Sequence, residues 1–338
     1  MAEFTASTPG GVNQSTPNAD ESLNRAQFLV RYLGLVFATY KDEVKYASKI
    51  SKKTLAKGAK SHIFYFTGIK QPKFLARGEE SKGESLHFAS KTIELDDLMY
   101  CDSFVADVDE HMSVLDVINE HAREDGIAIA KEVDIQVSIM ITKSASENFP
   151  VTNPDGTTRD GGTVATLAAI GDELIAEKLV AGIKGLALAM DQKNVPKAGR
   201  YLFMKPEYYY VLVEAEKIIS SDYSSNNGDY AKGIVKGVAG FEIVQSNLLV
   251  DEDTATWKAP NGSDDKYTNM QVKYKHDCTN VIMQAFRAEA VGMVMGREIK
   301  VEKGRQPRAQ GEFIMTTIFK GIDTLNPVNA AILKKKTA

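Results

Sequence analysis

SHIFYFTGIKQPKFLARGEESKGESLHFASKTIELDD, residues 61–97, is the stretch on which the fold turns. Its first eight residues are dense in aromatic and β-branched side chains, which suit a pleated, half-buried surface and predict a strand. KTIELDD (91–97) alternates polar with apolar, Thr92 and Glu94 interleaved with Ile93 and Leu95, as a strand with one buried face does. Between the two, Gly78 and Gly83 bracket a charged, turn-prone segment. The whole reads as a long hairpin with a hydrophilic tip. Fully extended, residues 61–77 would reach roughly 55 Å at about 3.3 Å per residue. A two-stranded ribbon of that reach is marginal on its own, so its aromatics need a partner, and a neighbouring subunit is the natural one. Phe64, Phe66 and Phe74 are the candidate anchors of such a contact, with Arg77, Glu79, Glu80, Lys82 and Glu84 around the tip.

Upstream of the hairpin, residues 1–22 are rich in Ser, Thr, Asn, Gly and Pro and cannot bury enough apolar surface to fold alone. Residues 23–46 carry Leu29, Leu33, Val36, Phe37 and Tyr40 at three- and four-residue intervals, which predicts a helix. KISKKTLAKGAK (49–60) follows as a basic connector, either solvated or set against an acidic neighbour. Downstream, Ser113 and Asp116 form a capping box that opens a helix over about 113–142. Its stripe is Leu115, Ile118, Ala122, Ile129, Val133 and Met140. At about 1.5 Å per residue it would be some 45 Å long, which suggests a structural spine. A second helix is expected over about 163–190, on Leu167, Ile170, Leu174, Ala181 and Leu188, ended by Asn194-Val195-Pro196. From Arg200 onward the chain reads mostly as strands, with a short helix opened by Pro206 and a polar loop over 251–270. The class is α+β.

Composition narrows the function. The chain has 338 residues, 43% hydrophobic and 25% charged, which is globular; at this length two packed subregions are expected. Net charge is −4, from 41 basic and 45 acidic residues. Proteins that grip DNA are usually basic, so any nucleic acid this chain meets is enclosed rather than held. Cys101 and Cys278 lie far apart and read as reduced thiols. The first residues have no basic and apolar signal-peptide pattern, and no run of about 18 apolar residues occurs, so no membrane association and a cytosol-like compartment are expected.

Motifs that carry chemistry are scarce in the sequence. Gly233, Gly237 and Gly240 are not spaced as a phosphate-binding loop, and no metalloprotease, nucleophile-elbow or EF-hand motif occurs. Glu110-His111 and Glu120-His121 look paired, but ten helical residues place the two imidazoles about 80° apart. No catalytic, cofactor-binding or metal-ligating residue is therefore expected. Lys82 at the hairpin tip, with Asn326 or Asn329, could be imagined as an isopeptide crosslink; a solvated lysine is the simpler reading.

Several stretches in order resemble the major capsid protein of the T-seven-like, short-tailed double-stranded DNA phages. In the hairpin-and-spine segment, Leu75, Gly78, Glu79, Ile93, Asp96, Leu98, Asp107, Asp109, Met112 and Asp116 stand where that family has like residues. AGRYLFMKPEYYYVLV, GVAGFEIVQSNL and NVIMQAFRAEAVGMVMGREIKVEKG continue the resemblance, which spans about residues 20–333. It departs at 143–163, at 251–270 and in the N-terminal tail. The resemblance implies an HK97-like fold: an N-terminal arm (1–58), an E-loop hairpin (59–104), a peripheral domain with the spine helix (105–198), an axial domain (199–305), and a tail (306–338) returning to the peripheral domain. It also implies a structural protein that self-assembles as hexamers and pentamers into an icosahedral shell around double-stranded DNA, with a scaffolding protein and a portal protein as partners, in the host cytoplasm. An encapsulin-like compartment would share the fold, and a cytosolic α+β enzyme is the alternative of another class.

Overall fold

The computed structural model describes residues 19–337 except 69, 71, 73, 81–82, 84–85, 107–116, 152–159, 215–227, 230–233, 236, 260–263, 307 and 309. In chain order these residues form α1 (Ala19–Glu43), β1 (Ser51–Thr54), β2 (Ser61–Thr67), β3 (Phe88–Glu94), β4 (Met99–Ala106), α2 (Val117–Ser146), β5 (Thr163–Thr166), α3 (Ala176–Gln192), β6 (Arg200–Met204), α4 (Pro206–Val213), β7 (Gly228–Asp229), β8 (Ile234–Val235), β9 (Gly237–Val238), β10 (Phe241–Gln245), β11 (Val281–Arg287), β12 (Val291–Gln306), β13 (Gly311–Thr324) and β14 (Ala330–Lys334). The class is α+β, as expected. The expected capping box of Ser113 and Asp116 lies outside the described residues.

Two compact units divide the chain. The first takes the described residues of Met1–Val44, Leu98–Glu132 and Arg297–Phe319. Here Tyr32 and Val36 of α1 are buried, as are Ala122 and Ile129 of α2. The two helices touch at Gly126, where a Cβ would stand 2.8 Å from the Val36 carbonyl oxygen. The Tyr32 hydroxyl (2.9 Å) and the Thr316 hydroxyl (2.8 Å) both donate to Asp125 Oδ2, tying α1, α2 and β13 through one carboxylate. β13 pairs antiparallel with β4, from Gly311 opposite Ala106 to Ile318 opposite Met99. One expectation needs correcting. Phe37 is 45% exposed, because it sits about 100° round the helix from Val36, and Tyr32 takes its place in the buried stripe.

The second unit takes Lys45–Asp97, Val133–Gly296 and Lys320–Ala338. Its centre is a six-stranded mixed sheet in the order β5-β14-β11-β6-β10-β9. β11 is antiparallel to both neighbours, while β5–β14 and β6–β10 are parallel pairs. On one face Leu179, Ile183, Leu186 and Met190 of α3 and Leu212 of α4 pack with Leu202, Met204 and Leu333. The expected helix over 163–190 is thus too long and out of phase. Thr163–Thr166 pairs with β14 instead, Gly171 turns the chain at φ +86°, and helix begins only at Ala176. Ile170, Leu174 and Leu188 are exposed; the buried stripe lies at spacings of four, three and four from Leu179.

The opposite face carries Gln284, between Met283 and Ala285 on β11. Its amide donates to the Ser138 carbonyl (3.0 Å) and hydroxyl (3.0 Å) and to Thr142 Oγ1 (2.8 Å) on α2. Tyr46 stacks on Phe203 with ring centroids 3.9 Å apart. The basic connector also proves structured: Ala47–Lys49 is a 3₁₀ turn, and β1 runs parallel to β12 with Ser51 opposite Gly292. Asp134 of α2 caps that turn, accepting from the backbone N–H groups of Lys45 (2.7 Å), Tyr46 (3.2 Å) and Ala47 (2.9 Å).

Cys101 and Cys278 are free, the first half-buried and the second buried. Burial pushes the Cys101 thiol up to about 11, helped by Asp125 and Asp102, and the Cys278 thiol up to about 12. The thiolate is the reactive form. Native protein at pH 8 should therefore show almost no fast reaction with an aromatic disulfide reagent, and two thiols after denaturation. A full equivalent of fast thiol in the native state would contradict the burial.

Candidate functional site

β2 and β3 pair antiparallel from Ser61 opposite Glu94 to Thr67 opposite Phe88. Alternation gives this hairpin two faces. Ile63, Tyr65 and Thr67, opposite Thr92, Ser90 and Phe88, are exposed, with Tyr65 at 75%. His62, Phe64, Phe66, Ala89, Lys91 and Ile93 form the half-buried or buried face. Phe66 meets Phe149 edge-on at 5.8 Å, and Phe64 meets His62 edge-on at 4.7 Å. The Lys91 ammonium lies 3.4 Å from Glu147 Oε2 and 3.8 Å from Asp323 Oδ1, and it also donates to Thr324 Oγ1. Ile93 is fully buried, and Gly292 makes room for it: a Cβ there would come within 2.8 Å of Ile93 Cδ1.

The sequence-derived contact residues therefore divide. Phe64 and Phe66 are on the face turned to their own subunit. Phe74 is fully exposed. Arg77, Glu79 and Glu80 are exposed at the Arg77-Gly78 turn, where Gly78 has φ +89° and the Glu79 N–H donates to the Ala76 carbonyl at 3.2 Å. Lys82 and Glu84 lie outside the described residues. The large apolar side chains that the paired strands leave exposed are Ile63, Tyr65 and Phe88. Four consecutive apolar residues, 63–66, do not reveal which alternate pair faces outward; only the burial of Ile93 opposite His62 fixes the phase. In the first unit, β4 likewise exposes Tyr100 and Phe104 on its outward face. Contiguous apolar side chains left open on a folded chain mark surfaces that another surface covers.

Among the described residues no group of three or more His, Cys, Asp or Glu side chains is placed to hold a metal ion. No described helix is long and apolar enough to cross a membrane. His111 lies outside the described residues; His121 is half-buried on α2. Asn329 is buried and donates to Glu289 Oε2 at 3.3 Å.

No curated protein matches the sequence. Among solved structures, the chain is similar to that of the capsid of Cyanophage P-SCSP1u, with 28% identity, a TM-score of 0.71, and 86% of this chain and 87% of that chain covered. The mature capsid of bacteriophage PhiM1 matches with 16% identity and a TM-score of 0.71, over 87% and 88% of the two chains. The virus-like particle from Pyrococcus furiosus, at 10% identity and a TM-score of 0.55 over 91% and 99%, shares the fold. The profile of the Gp10A-like major capsid proteins matches residues 64–334, from the hairpin's first strand to the last strand of the sheet. The chain belongs to that family, and it is a bacteriophage major capsid protein with the HK97-like fold.

Proposed function

We propose that this capsid subunit is of the T-seven-like, short-tailed type, and that it assembles as hexamers and pentamers into an icosahedral shell enclosing double-stranded DNA. The observation that carries the reading is the hairpin: its outer face presents Ile63, Tyr65 and Phe88, and beyond it Phe74 stands in solvent. The described residues of their own chain leave these groups uncovered, and another copy would bury them. In this reading residues 1–58 are the arm, 59–104 the E-loop, 105–198 the peripheral domain, 199–305 the axial domain and 306–338 a returning tail. The shell forms in the bacterial cytoplasm on a scaffolding protein, around a portal protein, and the subunit does no catalysis. A net charge of −4 supports enclosing DNA without pinning it.

Expression with candidate scaffolding and portal proteins, followed by electron microscopy and nucleic-acid assay of purified particles, tests this. Closed icosahedral particles holding DNA are expected; particles filled with an enzyme cargo would instead favour an encapsulin-like compartment. The double variant Tyr65→Ser, Phe74→Ser should lower particle yield at least about tenfold, since two large apolar side chains contribute roughly 1.5–3 kcal/mol each when fully buried. Its far-ultraviolet circular dichroism should match the wild type. Unchanged particle yield would remove the outer face from the interface.

A further inference from the structure

Asp96, two residues beyond β3, is only 7% exposed. It closes the root of the hairpin. The Leu95 N–H donates to the Lys60 carbonyl at 3.0 Å, and the Asp96 N–H donates to the Lys320 carbonyl on β13 at 3.0 Å. Its carboxylate faces the 3₁₀ segment Asn269–Tyr274: Lys273 Nζ lies 2.5 Å from Oδ1, and the Tyr274 hydroxyl donates to Oδ2. From β13, the buried Lys320 adds a third neighbour, its ammonium donating to Gln136 Oε1 on α2. Lys273, Tyr274 and Lys320 are the charged and titratable groups set against Asp96.

The cost of taking an ionised carboxylate out of water can exceed what its partners return. Burial accordingly holds the Asp96 carboxyl above the ordinary range, although Lys273, Tyr274 and Lys320 all pull it down. Burial and then Asp96 itself push the Tyr274 hydroxyl well up, so it remains the donor. With the root lifted away, the carboxyl would be hydrated and ordinary. We propose that Asp96 is a proton-sensitive latch at the root of the hairpin: neutral, it seats the root most firmly, and ionised, it lets the root open more readily. The sign follows from linkage. A carboxyl that binds its proton more tightly in the seated state strengthens seating below its seated-state pKa, and that strength is lost as pH rises through that value.

The latch acts within one subunit, so its test uses the unassembled full-length chain and stands or falls apart from the shell reading. Amide exchange at residues 61–63 and 93–96, corrected for the intrinsic effect of pH, should be followed from pH 8 to pH 5. Protection should rise on acidification by about tenfold for each unit by which seating raises the carboxyl. Trp257, the single tryptophan, gives a second signal: its ring lies 6.3 Å from Tyr267, which lies 5.5 Å from Tyr274. Asp96→Asn should hold the low-pH protection across the range. Lys273→Met, which keeps the carboxyl but removes its nearest cation, should move the transition to higher pH, and it serves should Asp96→Asn fold poorly. A pH response that survives Asp96→Asn, wild-type protection that is flat or falls with acid, or an unmoved transition in Lys273→Met would overturn the latch.

Discussion

Gly321→Ala should yield little or no folded protein. A Cβ at this position in β13 would stand 2.0 Å from the Glu94 carbonyl oxygen, 2.9 Å from its carbon and 3.0 Å from Leu95 Cα. All three are backbone atoms at the root of the hairpin, so no side chain can swing aside. The strand or the root must move, and the root is held by the bond from Asp96 N–H to Lys320 and by Ile93. Overpacking commonly costs roughly 1–3 kcal/mol where neighbours relax, and this site belongs above that range. Against a typical total of about 5–15 kcal/mol, that is enough to deplete the native state. Soluble expression and thermal melting would measure it. Gly304→Ala, where nothing lies within 4 Å, is the matched control. A Gly321→Ala protein melting within a degree or two of wild type would mean that the root and β13 are not packed this closely.

Asp134→Ala should be comparably damaging for a different reason. The carboxylate accepts from three successive backbone N–H groups, so truncation orphans those of the buried Tyr46 and Ala47 and returns that of the exposed Lys45 to water. At about 1–3 kcal/mol for each buried donor left unmade, the two buried donors give an expected loss of roughly 2–6 kcal/mol, read as a fall in the denaturation midpoint. Asp134→Asn should fall between the two, since its carbonyl still accepts while its amine opposes the same donors. Burial holds the Asp134 carboxyl above the usual range, despite the three donors. Its own contribution to stability is therefore largest at low pH and shrinks as pH rises through the folded value, a dependence that Asp134→Asn should lack. An Asp134→Ala midpoint close to wild type would show that the turn at Ala47–Lys49 does not depend on this cap.

What could be read from residue order was what residue order encodes. The alternation of Thr92, Ile93, Glu94 and Leu95 located β3, and Pro206 located the start of α4. The capsid family followed from motifs along nearly the whole chain. Three features resisted for physical reasons. β1 and β5 are held by parallel backbone pairing to β12 and β14, and a backbone ladder leaves no mark on side-chain pattern when most of those side chains are exposed. The outward phase of the hairpin depends on what Ile93 packs against, not on β2 itself. Asp96 and Lys273 are 177 positions apart, so their pairing exists only once the fold brings them together.

The strand order of the second unit also sets a timetable for synthesis. β14 lies between β5 and β11, yet it is made after both, so β5 has no neighbour in the sheet until residues 330–334 have left the ribosome. A nascent chain can form the antiparallel pair of β6 and β11 earlier, but it cannot complete the sheet. The sheet of the second unit is thus completed only once residues 330–334 have been made.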